Sequence, residues 1–150
     1  MEDSIRDRAR GCAVGAAVGD ALGMPLESGP RQPADRLVRE MRAGRLPAGT
    51  ITDDTEMALA LAESLLAHRP LDPVDLAQRF VAWFRAGPDS IGRQTYAVLS
   101  RMASGEGWER AVQAVQRLWP DSAGNGSVMR CWPVALAYCE ESSRRGQRLG

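Results

Sequence analysis

The residues most suited to take part in chemistry are Thr52, Asp53 and Asp54, which follow one another in the stretch GTITDDTEMALALAESLL at residues 49–66. The two adjacent carboxylates repel each other, and Glu56 adds a third acid within one helical turn. A hard divalent cation relieves such repulsion, because Mg²⁺, Mn²⁺ and Ca²⁺ all take oxygen ligands. The pattern therefore makes Thr52, Asp53 and Asp54 candidate metal ligands.

The same residues also fit the start of a helix. Asp53 as N-cap, with Glu56 three residues later, matches a capping box. Acids in the first turn favour the helix dipole by about 0.3–1 kcal/mol each. Capping explains why an acid stands there but not why several stand together, so both interpretations remain open.

Two other stretches carry groups of interest. GDALGMPLE, residues 19–27, turns out of a first helix and leaves Glu27 on a loop punctuated by glycine and proline. GNGSVMR, residues 124–130, places Ser127 after an Asn-Gly turn. A glycine-flanked turn exposes backbone N–H groups, which suits an anion or a ribose diphosphate. Each stretch alone is equally consistent with a solvated helix end or a plain turn.

The elements that must position these groups are helices. Every periodic segment has the helical repeat, and no run alternates in the manner of a strand. At 150 residues the length is typical of one compact unit. We therefore predict a single all-α domain over residues 1–150, a bundle of six or seven helices with one long early loop. The predicted helices cover residues 4–22, 34–41, 53–67, 73–85, 90–103, 108–119 and 133–141.

The first helix carries an unusual face of glycines. Gly11, Gly15 and Gly19 recur at every fourth position and so share one side. Each glycine weakens a helix by about 1 kcal/mol relative to alanine. The pattern predicts that another backbone or a ligand comes very close to this face, and tight helix packing is the favoured of the two.

Composition limits the classes of function. The net charge is zero and the arginines are scattered among acids, so there is no nucleic-acid footprint and no polybasic membrane patch. Cys12, Cys131 and Cys139 show no metal-ligand spacing and indicate reduced thiols in a cytoplasmic protein. The single histidine, His68, excludes a multi-histidine zinc site. The longest apolar stretch, 11–19, is far short of the roughly 20 residues that span a bilayer.

Taken together, in this order and spacing, the motifs resemble those of the ADP-ribosylglycohydrolase family. That family includes the dinitrogenase reductase-activating glycohydrolases and the ADP-ribosyl-arginine and ADP-ribosyl-serine hydrolases. The matching stretches are GAAVGDALGMPLE at 15–27, ITDDTEMALALAESLL at 51–66, GPDSIGRQT at 87–95 and GNGSVMRCWPVAL at 124–136. The resemblance runs over nearly the whole chain, from about Arg8 to Ala137.

The resemblance implies an all-α orthogonal multi-helix bundle that removes ADP-ribose from a modified side chain or a related ADP-ribosyl compound. It also implies a two-ion Mg²⁺ or Mn²⁺ centre. By that likeness the metal ligands are Thr52, Asp53 and Asp54, the catalytic acids are Glu27 and Asp89, and the substrate-binding residues are Gly124, Asn125, Gly126, Ser127 and Met129. Which acid transfers the proton stays open, because sequence does not give its distance from the reacting group.

The chain departs from the family pattern in one respect. Family members are longer, and their second half supplies a Gly-Asp-x-Asp-Thr cluster that completes the metal pair. This sequence has no aspartate after Asp121, so it resembles the N-terminal half. We expect exposed helix faces that self-associate or bind a separate chain. Three functions stay open: a metal-dependent hydrolase, a non-catalytic module that binds ADP-ribose or another nucleotide, and an inactive helical fragment.

Overall fold

The computed structural model describes residues 2–27 and 29–146 as a helical chain with no strand in those ranges. This finding confirms the predicted all-α class. The helices are α1 (Glu2–Gly23), α2 (Asp53–Ala67), α3 (Pro73–Arg85), α4 (Arg93–Ala103), α5 (Trp108–Leu118) and α6 (Trp132–Gly146), with a 3₁₀ turn at Met24–Leu26. Within the described ranges, none of these helices has both the length and the apolar character needed to cross a bilayer.

Helix α2 lies at the centre of the fold and packs against α1, α3 and α6. Met57, Leu61 and Leu65 recur at helical spacing and are at most 5% exposed, and Ala58 is fully buried. Helix α4 connects α3 to α5 on the other side. The acidic start of α2 is therefore carried by the best-buried helix of the chain.

The bounds of α2 and α3 agree with the prediction because their end signals are local. Asp72 caps α3 by accepting a hydrogen bond from the Val74 amide at 2.8 Å, and Pro73 occupies the first helical position. His68 follows α2 directly, and its Nε2 lies 3.6 Å from Asp75 Oδ1 on α3. These contacts join the end of α2 to the start of α3.

The predicted short helix at 34–41 is wrong, because residues 29–51 form only turns, bends and irregular backbone. Leu37 is 71% exposed, so the segment has no buried apolar face to stabilise a helix of two turns. Helix α4 begins at Arg93 and not at residue 90, and α6 continues to Gly146 and not only to residue 141.

The tight helix packing predicted for the glycine face of α1 is wrong within the described part of the chain, while the close approach of a ligand stays a prediction. A Cβ atom built on Gly11, Gly15 or Gly19 would meet no atom within 4 Å, leaving aside neighbouring residues and the helix's own backbone. Val14 on the same helix is 62% exposed. The glycines therefore reduce the helix propensity of α1, and no close contact with the other described residues compensates.

Two glycine-to-alanine variants give opposite expected results. Gly15→Ala raises the free energy of unfolding by about 1 kcal/mol, because it removes the entropic cost of a helical glycine. Gly44→Ala lowers it by about 1–3 kcal/mol, because the new Cβ would lie 2.7 Å from Pro25 Cα. Urea denaturation of the two variants and the wild type measures both changes. A Gly44→Ala variant as stable as the wild type would show that residue 44 does not pack on Pro25.

Candidate active site

The first turn of α2 differs from the predicted capping box. The N-cap is Thr52, whose hydroxyl oxygen accepts a hydrogen bond from the Asp54 amide at 3.4 Å. Asp53 as N-cap is therefore wrong, because Thr52 has the extended backbone of a cap while Asp53 is already helical. Glu56 serves another purpose, since its Oε2 accepts a hydrogen bond from Trp83 Nε1 at 2.7 Å. The Asp53 carboxylate is thus available for contacts outside its own helix.

Asp20 on α1 is a site residue that the sequence reasoning missed. Its carboxylate accepts hydrogen bonds from the Thr52 amide at 2.8 Å, the Thr52 hydroxyl at 2.7 Å, the Thr55 amide at 3.3 Å and the Thr55 hydroxyl at 2.6 Å. The available signal was an acid within an otherwise small and apolar stretch, GAAVGDALG. Because the Thr52 hydroxyl proton points to Asp20, the remaining lone pair of that oxygen can serve as a ligand.

Asp53 is 7% exposed and is held by the turn before α4. Its Oδ1 accepts a hydrogen bond from the Ser90 hydroxyl at 2.7 Å, and its Oδ2 accepts one from the Gly92 amide at 3.3 Å. These bonds explain why α4 starts after residue 92. Each carboxylate oxygen has a second lone pair, so the two bonds still leave Asp53 able to coordinate a cation.

Asp54 lies in a crowded electrostatic environment. Burial raises the pKa of its carboxyl, and the charges of Asp20, Asp53 and Glu27 raise it further, to about 6. The Arg130 guanidinium partly opposes this rise. Acids from α1, the early loop and α2 are therefore close enough to repel one another, which is the situation that a bound cation would relieve.

Arg130 belongs to the 124–130 motif and reaches back towards α2. Its Nη1 lies 2.9 Å from Met57 Sδ, and its guanidinium carbon lies 5.2 Å from the centre of the Phe80 ring. Burial lowers its pKa, and Asp53 and Asp54 act in the opposite direction. Arg130 thus brings positive charge to the acidic cluster from the predicted substrate-binding segment.

Glu27 connects to the same cluster through Arg45. Arg45 Nε and Nη2 donate to Glu27 Oε2 at 3.2 and 2.5 Å, and Nη2 also donates to Ser90 Oγ at 2.6 Å. Asp89 participates through its backbone carbonyl, which accepts a hydrogen bond from Arg45 Nη1 at 3.4 Å. Both acids are exposed, but the Glu27 charge contributes to the raised pKa of Asp54, whereas Asp89 contributes a backbone oxygen to Arg45.

A cleft of about 690 Å³ joins Asp53 to the predicted substrate-binding turn. Its lining includes five residues of that turn, namely Gly124, Asn125, Gly126, Ser127 and Met129. The turn closes on itself, because the Val128 amide donates to the Asn125 carbonyl at 2.8 Å. A Cβ on Gly124 would lie 2.9 Å from Gln94 Oε1, at the end of a flexible side chain that would have to shift. The residues Glu27, Thr52, Asp54 and Asp89 are not part of this lining.

The donor set determines which group the site fits. Thr52, Asp53 and Asp54 offer one hydroxyl and two carboxylates, which are the ligands that Mg²⁺ and Mn²⁺ prefer. In residues 2–27 and 29–146, however, no three acidic, histidine or cysteine side chains converge closely enough to hold an ion by themselves. The residues present therefore fit one side of an oxygen-ligand centre that needs further ligands.

Asp54→Asn is expected to stabilise the protein in metal-free buffer at pH 7 by about 1–2 kcal/mol, after allowance for solvent screening. The folded state holds the Asp54 proton more tightly than the unfolded state does, since the pKa rises from 3.8 to about 6. Ionisation of Asp54 therefore lowers the free energy of unfolding of the wild type as the pH rises from 3.8 to about 6. The variant has no such carboxyl group, so its stability advantage disappears below about pH 4.

Denaturant midpoints between pH 4 and 8 measure this difference, with Asp121→Asn as the control at an exposed acid. A variant with equal or lower stability at pH 7, or with the same advantage at pH 4, would contradict the crowding of the cluster.

The fold and the cleft already indicate a class of protein, without reference to any individual relative. An all-α chain in which Asp53, at the start of α2, and a Gly-Asn-Gly-Ser turn line one cleft is consistent with a helical glycohydrolase. The chain belongs to the ADP-ribosylglycohydrolase family, whose family model matches residues 1–149. This finding agrees with the resemblance that the sequence motifs indicated.

Individual relatives agree with the family. The chain is 40% identical over 140 residues to the ADP-ribosyl-[dinitrogen reductase] glycohydrolase of Rhodospirillum rubrum, covering 89% of this chain and 46% of the relative. It is 38% identical over 135 residues to the ADP-ribosylarginine hydrolase Tri1 of Pseudomonas putida (strain GB-1), covering 87% and 36%. A solved ADP-ribosylglycohydrolase-related protein complex matches with a TM-score of 0.66 and 40% identity, covering 87% and 42%. The chain thus spans less than half the length of these relatives.

Proposed function

We propose that this chain forms the N-terminal half of a metal-dependent centre that hydrolyses the glycosidic bond between ADP-ribose and a modified protein side chain or a related ADP-ribosyl compound. One observation carries the proposal: Asp53 and the 124–129 turn line the same cleft. The family supports this assignment, because two of the relatives above are named for the removal of ADP-ribose.

The cleft has the size and chemistry for an ADP-ribosyl group. Pockets for ligands of this size are typically about 300–1,000 Å³. The turn would supply backbone N–H groups from residues 124–127 for ribose and diphosphate oxygens, because the Val128 and Met129 amides already donate to the Asn125 carbonyl. Phe80, Val98 and Trp108 form part of the apolar wall, which suits a base or sugar face. The substrate would lie across the cleft with its reacting ribose near Asp53.

Thr52, Asp53 and Asp54 would hold Mg²⁺ or Mn²⁺ at the start of α2, where Asp53 borders the cleft, in a two-ion centre completed by ligands from outside these residues. When bound, such ions orient ribose hydroxyls and make a coordinated water more acidic. The Thr52 oxygen is prepared for this role, since its proton is already donated to Asp20. The Ser90 and Gly92 bonds fix the rotamer of Asp53.

The proton-transfer group that the geometry favours is Glu27. Glycoside hydrolysis passes through an oxocarbenium-like transition state, in which the incoming water gives up a proton and the leaving group accepts one. The Glu27 charge acts on Asp54, and Arg45 fixes the Glu27 carboxylate. Asp89 contacts Arg45 through its backbone carbonyl, and its charge is not among those that raise the Asp54 pKa, so we assign it to the turn that supports Asp53 and not to proton transfer.

The partner of the chain is then an ADP-ribosylated protein or a small ADP-ribosyl compound. The location that the cysteines favour is the cytoplasm, because Cys12, Cys131 and Cys139, which all lie in the described ranges, are exposed and form no disulfide. Faces such as the glycine side of α1 would be covered by self-association or by the remainder of the enzyme.

Melting curves with and without Mn²⁺ and ADP-ribose, together with product analysis on an ADP-ribosylarginine peptide, test the proposal. Ligands that bind the native state raise the melting temperature by mass action. We expect stabilisation by Mn²⁺, further stabilisation by ADP-ribose, and Mn²⁺-dependent release of ADP-ribose. Stabilisation by ADP-ribose alone without product would indicate a binding module, and no response to either ligand would indicate an inactive fragment.

A further inference from the structure

Arg45 connects two separate parts of the candidate site, namely Glu27 after the 3₁₀ turn and the Asp89-Ser90 turn before α4. It lies in the irregular segment between α1 and α2, and its guanidinium contacts Glu27, Asp89 and Ser90. We propose that Arg45 is a positioning residue, which orients Glu27 and Asp53 as one unit for cation binding. This inference rests on the proposed function, because it assigns a role within the same centre.

The bonds to Glu27 leave one carboxylate oxygen available. Arg45 Nε and Nη2 both donate to Oε2, at 3.2 and 2.5 Å. Oε1 receives no bond from Arg45, so it can face the acidic cluster that contains Asp54. A hydrogen bond to the outer oxygen of a ligand carboxylate orients the inner one, and loss of such a partner typically lowers metal affinity about 10–100-fold.

Through its hydrogen bond to Ser90, Arg45 also orients Asp53. Arginine has no acceptor, so Arg45 Nη2 must donate to Ser90 Oγ, at 2.6 Å. The single hydroxyl proton of Ser90 then goes to Asp53 Oδ1, at 2.7 Å. The direction of every bond from Arg45 to Asp53 is therefore fixed. Two carboxylates that lie 26 residues apart in the sequence, at positions 27 and 53, are oriented by one guanidinium.

The arrangement needs the shape of arginine and not only its charge. Arg45 uses Nε, Nη1 and Nη2 to reach a carboxylate, a carbonyl and a hydroxyl at the same time. A lysine ammonium is a compact charge on a flexible stem and does not reproduce this planar fork. Arg45→Lys is therefore expected to behave more like Arg45→Gln than like the wild type.

The test is the Mn²⁺ dissociation constant, measured by electron paramagnetic resonance on the purified chain. We expect Arg45→Gln to weaken Mn²⁺ binding about 10–100-fold. Arg42→Gln, a loss of the same charge at an exposed site on the same loop, is the matched control and should change affinity less than about threefold. An unchanged affinity in Arg45→Gln would overturn the inference while leaving the metal centre intact.

Repeating the measurement in a Glu27→Gln variant separates a positioning role of Arg45 from a general structural role. When Glu27 is already replaced by glutamine, Arg45→Gln should weaken Mn²⁺ binding far less than it does in the wild type, because the carboxylate that Arg45 orients is gone. A purely structural role would give the same loss in both backgrounds and would overturn the inference. Arg45→Lys serves as the second variant if Arg45→Gln does not fold.

A metal-free measurement keeps the inference testable if the proposed function fails. If the wild type binds no Mn²⁺, the metal centre is wrong, and the melting temperatures of Arg45→Gln, Glu27→Gln and the double variant then decide the role of Arg45. A shift in the double variant smaller than the sum of the two single shifts supports the coupling. Additive shifts overturn it.

Discussion

Replacing Asp53 and Asp54 together with alanine abolishes the rise in melting temperature that Mn²⁺ gives the wild-type chain. The double variant removes both carboxylates from the α2 side of the candidate centre and leaves only the Thr52 hydroxyl. For the wild type at a Mn²⁺ concentration 100 times the dissociation constant, mass action stabilises the folded state by about 2.7 kcal/mol. That corresponds to about 5–10 °C in a domain of this size. The measurement is differential scanning fluorimetry across a Mn²⁺ titration.

The comparison must be made within each variant, with and without Mn²⁺. Asp53 also accepts hydrogen bonds from Ser90 and Gly92, so its loss lowers the melting temperature even in metal-free buffer. Asp121→Asn, at an exposed acid, controls for a general loss of negative charge. Persistence of the full Mn²⁺ shift in the double variant would mean that the ions bind elsewhere.

The second large expected effect is at Asp20. Asp20→Ala lowers the free energy of unfolding by about 3–4 kcal/mol, because it removes a charged acceptor and leaves buried donors unpaired. Thr52 is 1% exposed and Thr55 is 5% exposed, so water does not readily replace the lost acceptor. The change corresponds to a fall of about 6–16 °C in the melting temperature.

Chemical denaturation of Asp20→Ala measures this loss in metal-free buffer, where cation binding does not contribute. Asp7→Ala removes an exposed acid from the same helix and should shift stability by less than about 0.5 kcal/mol. Equal stability in Asp20→Ala and Asp7→Ala would show that the bonds between α1 and α2 do not hold the start of α2. The result would also remove the reason for treating Thr52 as a prepared ligand.

These two expectations test different roles of residues in the same candidate site. Asp53 and Asp54 would contact the ion, whereas Asp20 fixes the backbone and hydroxyl that place Thr52. A loss of Mn²⁺ response with a gain of stability in metal-free buffer at pH 7 is therefore expected for Asp54→Asn, and a loss of stability in metal-free buffer for Asp20→Ala. Measuring both quantities for each variant separates cation binding from folding.

The sequence by itself determined those parts of the structure whose signals are local. The bounds of α2 and α3 follow from apolar residues at helical spacing and from the Asp72-Pro73 start, which acts within a few residues. The all-α class and the family follow in the same way from periodicity and from short motifs. A helix at 34–41 was predicted from equally local signals and is absent, because no neighbouring element buries Leu37.

Tertiary structure alone decided how the site residues are held. Asp20 meets Thr52 and Thr55 across 32 and 35 positions, Ser90 meets Asp53 across 37, and Arg45 meets Ser90 across 45. Because of these contacts, the cap of α2 is Thr52 and not the predicted Asp53, and α4 starts at Arg93 and not at the predicted residue 90. The physical reason is that helix propensity and capping act within about one turn. The partner of a buried carboxylate is instead set by which helices pack together.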